Sequence, residues 1–153
     1  MNGDHIKEVF HLYSSMLYKI SSLMLGNISE ANDAVQETFL KYMLSNKQFS
    51  NDEHEKAWLV RININICKNM LRFHKFHPTV AYEDLTEKYH SSGENKVMDV
   101  LMEMKSKDKE ILILYYIEGY TCREIKDLLR ISESAVKKRL ERARKNFKKM
   151  YEE

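Results

Sequence analysis

A chain of 153 residues is long enough for one ordinary domain or two small ones. Hydrophobic residues make up 43% and charged residues 31%, with only 4 Gly and 1 Pro. That excludes low-complexity and collagen-like chains and leaves too few turn residues for an all-β sandwich, so the expected class is all-α. Lys plus Arg number 25 against 23 Asp plus Glu, a formal net charge of +2. Any surface for a polyanion must therefore come from local segregation of charge.

Three amphipathic stretches fill the first half. Ile6, Val9, Tyr13, Leu17 and Ile20 recur at helical spacing and stop near Gly26-Asn27. Ser29 is the expected cap of a second helix with the apolar stripe Ala31, Val35, Phe39, Tyr42 and Met43. A third helix carries Trp58, Ile62, Ile66 and Phe73, entered through an acidic loop at 50–55 whose carboxylates Asp52, Glu53 and Glu55 are expected to be solvated. Between 77 and 95 the period disappears and Pro78, Ser91, Ser92 and Gly93 fall together, which reads as a linker. It divides the chain into an N-terminal unit, 1–76, and a C-terminal unit, 96–153.

The second unit opens with a helix holding Val97, Leu101 and Met102, followed by one from Asp108 to Glu118 that Gly119 ends. Thr121 caps a short helix, and Glu124 three positions later completes a capping box. That helix presents Ile125, Leu128 and Leu129, turns at Arg130-Ile131-Ser132, and leads into a longer helix with the stripe Val136, Leu140, Ala143, Phe147 and Met150. A capped short helix, a three-residue turn and a longer helix is the arrangement of a helix-turn-helix.

Charge separates along these helices. Residues 133–150 hold eight Lys or Arg against Glu133 and Glu141, whereas 100–132 balance six against six. Cations late in a helix complement its dipole, which accounts for Lys148 and Lys149 but not for Lys137 and Lys138 in the first turns. Phosphate neutralisation accounts for all of them. On the third helix Arg61, Asn65, Lys68, Asn69 and Arg72 form a stripe beside the apolar face, and no acid occurs between Arg61 and His77. Guanidinium, ammonium and amide groups there can meet phosphates and exposed base edges, with Trp58 at the helix start. Opposite the core stripe of the second helix lie Asp33, Glu37, Leu40 and Leu44, a face suited to a protein partner.

Several functions find no support. The four glycines form no Walker loop, GxGxxG or GxSxG, and the HxxH of His74 and His77 lacks companion ligands at zinc spacing. No catalytic residue, metal or cofactor is expected. Cys67 and Cys122 stand far apart, which suits a reducing compartment. The first ten residues lack a signal-peptide core, and the longest apolar run, Ile111 to Ile117, is far short of the ~18 residues a membrane span needs. A soluble, cytoplasmic protein without membrane insertion is expected.

The run ANDAVQETFLKY (31–42) followed by KAWLVRININICKNMLR (56–72) resembles region 2 of the extracytoplasmic-function (ECF, group IV) sigma factors of bacterial RNA polymerase, and 109–150 is similar to their region 4. The resemblance implies two helical domains, a region 2 bundle and a region 4 helix-turn-helix, that bind core RNA polymerase at its β′ clamp and β flap and read promoter DNA. An anti-sigma factor is a further partner known in the family. By position, Asp33, Gln36 and Glu37, with Leu40 and Leu44, match the clamp-docking helix. Trp58, Arg61, Asn65, Lys68, Asn69 and Arg72 match the face toward the melted −10 element. Ser134, Lys137, Lys138, Arg139, Glu141, Arg142, Arg144 and Lys145 match the −35-reading helix.

Three departures from the family pattern stand out. Asn63 and Ile64 stand in its alanine-rich stretch, Arg130 replaces a common turn glycine, and Met104-Lys105 replaces a Leu-Pro. Two other readings stay open from the sequence: a stand-alone helix-turn-helix regulator that binds duplex DNA as a dimer, and a regulatory interaction protein derived from a sigma factor.

Overall fold

The structure, a computed structural model, describes residues 3–77 and 95–153. The chain forms two compact units, within Met1–Tyr89 and His90–Glu153. Of the expected linker, residues 78–94 lie outside the described residues. Its two described ends are helix caps: His77 closes the last helix of the first unit, and Asn95 accepts from the Met98 N–H to open the second.

Three long helices build the first unit: α1 (Gly3–Leu25), α2 (Ile28–Ser45) and α3 (Asp52–Phe76), each packed on the other two. Gly26, at φ 67°, takes the left-handed conformation that ends α1. The cap of α2 is Asn27, not Ser29: its side chain accepts from the Glu30 N–H at 2.9 Å. Asn51 caps α3 in the same way, so the acidic segment is mostly the first turn of a helix, where carboxylates complement the dipole. Glu55 is buried rather than solvated, and accepts from the Tyr42 hydroxyl at 2.8 Å and meets His5 Nε2 at 3.1 Å.

The core between these helices is Val9, Leu17, Ile20, Leu23, Ala31, Val35, Phe39, Tyr42, Leu59, Ile64 and their neighbours. Two expected core residues stand outside it. Met43 is 46% exposed because Tyr42 takes the inward position one residue earlier, and Phe73 is 58% exposed near the end of α3.

At the centre of the bundle sits a polar hub. Asn63 is fully buried; its carbonyl accepts from Ser21 at 3.0 Å and its amide donates to Thr38 at 3.1 Å. Thr38 in turn donates to the Ala34 carbonyl at 2.7 Å, and the Cys67 thiol approaches Ser21 at 3.5 Å. One amide thus ties α1, α2 and α3 together, and Thr38 also donates to a backbone carbonyl, so the buried polar groups meet partners.

In the second unit, α4 (Lys96–Glu103) and α5 (Ser106–Leu112) precede a π-helical stretch, Ile113–Ile117. The expected helix 108–118 therefore starts two residues earlier and loosens in its second half, where Glu118 N–H bonds to Ile113 O at 2.9 Å. The short helix α6 (Cys122–Leu129) has both bonds of the capping box, Thr121 with Glu124 at 3.0 and 3.1 Å. Ser132 caps α7 (Glu133–Glu152) by accepting from Ala135 N–H at 3.1 Å. Between them Arg130 adopts φ 56°, so the turn keeps the left-handed geometry that a glycine would take freely. Val100, Leu101, Met104, Ile111, Leu114, Ile125, Leu128, Val136, Leu140 and Ala143 form the core.

Candidate polymerase and nucleic-acid interfaces

On α2, Asp33, Gln36, Glu37, Leu40 and Leu44 are all exposed, at spacings that set them on one face. Leu40 is 54% and Leu44 74% exposed, more apolar surface than a solvated helix needs to show. The face continues into an open groove of about 810 Å³ between α1 and α2, lined by Phe10, Leu40, Met43, Asp33, Glu37 and others. Phe10, its ring 4.9 Å from that of Phe39, is a member that sequence reasoning missed. Its neighbour in the first-helix pattern, Val9, is the buried one, and the pattern alone did not show that Phe10 would face an unfilled groove. Glu37 lies 3.8 Å from Lys41, an exposed pair of small energetic weight.

The stripe on α3 is divided by burial. Asn65, Asn69 and Arg72 are exposed, with Arg72 donating to the Asn69 side chain, while Arg61 and Lys68 are half-buried. Trp58 does not stand on this stripe as a free ring. It is half-buried in an aromatic cluster, 6.1 Å from Tyr42 and 5.8 Å from Phe49. The α2–α3 connection that carries Phe49 borders a second groove of about 770 Å³, lined mostly by polar side chains including Asn46, Gln48, Asn51 and Glu55. The sequence offered no periodic signal there, because 46–51 belong to no helix.

The basic set on α7 separates by role. Ser134, Lys137, Lys138, Glu141 and Lys145 are exposed and lie away from the buried stripe of Val136, Leu140 and Ala143. Lys145 pairs with Glu141 at 3.4 Å. Arg142 and Arg144 are exposed as well but are engaged by side chains of their own unit. Arg142 Nε lies 3.6 Å from buried Asp108, which also accepts from Asn146 at 2.8 Å. Arg144 donates to the Tyr116 hydroxyl at 2.5 Å and sits over the Tyr115 and Tyr116 rings, and that hydrogen bond to the hydroxyl holds its guanidinium above its usual range. Arg139 is half-buried.

Two small all-α units, the second a helix-turn-helix with an exposed basic helix, define the class of a two-part DNA-directed transcription protein. The family of sigma-70 region 2 matches residues 9–76, and that of sigma-70 region 4 matches residues 94–147. With both regions present in this order over most of its length, the chain belongs to the sigma-70 family of RNA polymerase sigma factors, in its extracytoplasmic-function branch.

Among its relatives, the ECF RNA polymerase sigma factor SigM of Mycobacterium tuberculosis is 26% identical over 90% of this chain and 72% of its own. SigW of Bacillus subtilis is 26% identical over 95% of this chain and 88% of its own. The fold is also that of CnrH in its complex with the cytosolic domain of CnrY, with a TM-score of 0.74 at 22% identity over 99% of this chain and 90% of that one. RpoE in complex with the anti-sigma factor NepR from Bartonella quintana gives a TM-score of 0.72 at 20% identity over 95% of this chain and 96% of that one. Among the described residues no helix is long and apolar enough to cross a membrane, and no cluster of His, Cys, Asp or Glu could hold a metal ion.

Proposed function

We propose that this sigma factor docks on core RNA polymerase through the outer face of α2, reads duplex −35 DNA with the outer face of α7, and holds the melted −10 strand along α3. It does so in the cytoplasm as a dissociable, group IV subunit without chemistry of its own, in two domains spanning 1–76 and 96–153. An anti-sigma factor is a further partner, since the similar RpoE structure is a complex with the anti-sigma factor NepR.

The observation that carries the reading is the contrast of two faces on one small bundle. The α2 face combines carboxylates with exposed leucines, the chemistry of a protein contact. The α3 face combines cations with amides and holds no carboxylate between 61 and 77, the chemistry of a polyanion contact that also offers donors and acceptors to bases. A dimeric duplex binder has no use for the second face. Extruding a base costs a few kcal/mol, which a concave polar site must recover. The groove at the α2–α3 connection has the volume and polar lining for one base, with the Phe49 ring at its side. Asn65 then contacts the strand beside it rather than enclosing the base.

Transcription with purified core polymerase, with and without this protein, tests the reading, with permanganate reactivity of −10 thymines reporting opening. Asn65→Ala is expected to reduce opening at the preferred sequence while closed complexes persist. Promoter-specific transcripts that need no core, or a palindromic footprint by the protein alone, would overturn the proposal in favour of a dimeric regulator.

A further inference from the structure

The C-terminal end of α3 carries two aromatic rings that its own unit does not cover. Phe76 is 73% exposed and Phe73 58% exposed. Phe76 follows Asn65 by eleven residues and Arg72 by four, so the helical repeat sets all three on one stripe. A rise of 1.5 Å per residue puts Phe76 about 16 Å beyond Asn65 along the helix axis, a few nucleotides of strand.

The second ring is held in place. Phe73 stacks on His77 with centroids 4.3 Å apart and planes at 14°, and the His77 backbone N–H donates to the Phe73 carbonyl at 2.9 Å. His74, edge-on to Phe73 at 6.0 Å, is fixed by Glu30 at 2.5 Å. Arg72 and Lys75 lie between and beside the two rings in sequence. Among the described residues, Glu30 reaches this end; it is 5% exposed and engaged by His74, so it does not offset the cations at the surface.

We infer that Phe73 and Phe76 form a stacking platform for one or two unpaired bases of the promoter strand, adjacent to those met at Asn65. The inference rests on the reading of α3 as the melted-strand surface, and extends it by a site that reads no sequence. The occupant follows from charge and shape together. Rings flanked by cations, on a helix stretch without an acid between 61 and 77, suit a polyanion with flat apolar faces, which single-stranded DNA is and a protein helix is not. The carboxylate- and leucine-bearing face of α2 shows what a protein contact on the same bundle looks like.

Binding of the assembled holoenzyme to a fork-junction promoter, with a duplex −35 element and an unpaired −10 strand, tests this directly. An abasic site is walked along the unpaired strand one nucleotide at a time. Phe73→Ala with Phe76→Ala should weaken fork binding about 10- to 100-fold and leave duplex −35 binding unchanged. It should also erase the abasic penalty at one or two positions next to those affected by Asn65→Ala. Phe76→Trp should retain fork affinity. If wild type prefers the fork and Asn65→Ala weakens it, yet the double Phe variant matches wild type at every position, the platform is wrong and the α3 reading stands. If wild-type holoenzyme holds the fork no better than duplex, the α3 reading fails and takes the platform with it. Weaker binding of the double variant to core polymerase would mean that protein covers these rings, and would overturn the inference.

Discussion

Replacing Asn63 by Ala removes the hub of the first unit, and the structure sets the cost. The amide makes two buried hydrogen bonds, to Ser21 at 3.0 Å and Thr38 at 3.1 Å, each contributing about 0.5–1.5 kcal/mol net. Their loss is unequal. Thr38 keeps its donation to Ala34 O at 2.7 Å, but the Ser21 hydroxyl loses its acceptor inside a closed core. An orphaned buried donor costs about 1–3 kcal/mol, and the space left by the carboxamide adds to it, so a total near 2–4 kcal/mol is expected. A unit of roughly 75 residues has about 4–11 kcal/mol to lose, so the substitution removes a large share of its stability.

The chain has a single Trp, and Trp58 lies in the first unit against Tyr42 and Phe49, so denaturant unfolding followed by its fluorescence reports on that unit alone. The companion variant is Ser21→Ala with Thr38→Val and Asn63→Leu, which removes the polar groups together and keeps the volume. It should recover most of the loss, because it removes Ser21, Thr38 and Asn63 together and takes an acceptor only from the weakly donating Cys67 thiol. An Asn63→Ala variant within 0.5 kcal/mol of wild type, or a triple variant as weak as the single one, would refute the accounting.

Glu37→Lys should weaken core polymerase binding at least 10-fold, measured by co-purification and competition, with unchanged unfolding, since its side chain is half exposed and its pair with Lys41 is a weak surface one. Lys137→Ala with Lys138→Ala should lower the slope of log affinity against log salt by about two and erase the −35 preference in a footprint, core binding being unaffected. Burial, then the hydrogen bond to Glu55, holds the Tyr42 phenol well above its ordinary value of 10.0. The folded state therefore keeps a proton that the unfolded chain gives up. That stability is complete below pH about 10 and declines as pH rises beyond it. Tyr42→Phe should make the alkaline decline shallower while costing about 1–3 kcal/mol at neutral pH, read from urea titrations at pH 7 to 11.

What was legible in the sequence was whatever repeats with the helix or is written in a few adjacent residues. The capping box Thr121–Glu124, the cap Ser132 and the buried face Val136, Leu140 and Ala143 are local signals, and local geometry realises them. The α2 face was legible for the same reason, since Leu40 and Leu44 fall where a core stripe cannot. Side chains whose partners come from elsewhere were not. Asn63 stood out only as a departure from an alanine-rich pattern; that it meets Ser21, 42 positions away, is set by the packing of three helices. Glu55 read as a solvated loop acid because Tyr42 and His5 approach it from other elements. Arg142 and Arg144 read as part of one free cationic face, but Asp108 and Tyr116, 28 or more positions earlier, engage them at the surface.

The buried and exposed asparagines of α3 bear on one another. Asn63 and Asn65 are two residues apart, about 200° around the helix, so one points into the bundle when the other points out. An apolar inner face tolerates small rotations of a helix about its axis, since one methyl group substitutes for another at little cost. A carboxamide with a donor on one side and an acceptor on the other does not. Rotating α3 far enough to turn Asn65 and Arg72 from their present exposed direction would break both bonds to Ser21 and Thr38 at once. The hub therefore fixes the angle at which the stripe is presented, besides what it adds to the free energy of the fold. An apolar triple variant regains stability without regaining that constraint. Reading a base edge needs an amide placed to within a fraction of an ångström, whereas neutralising phosphates does not. On the proposed reading of α3, the polar core of this bundle would serve discrimination along the helix and its cationic surface affinity.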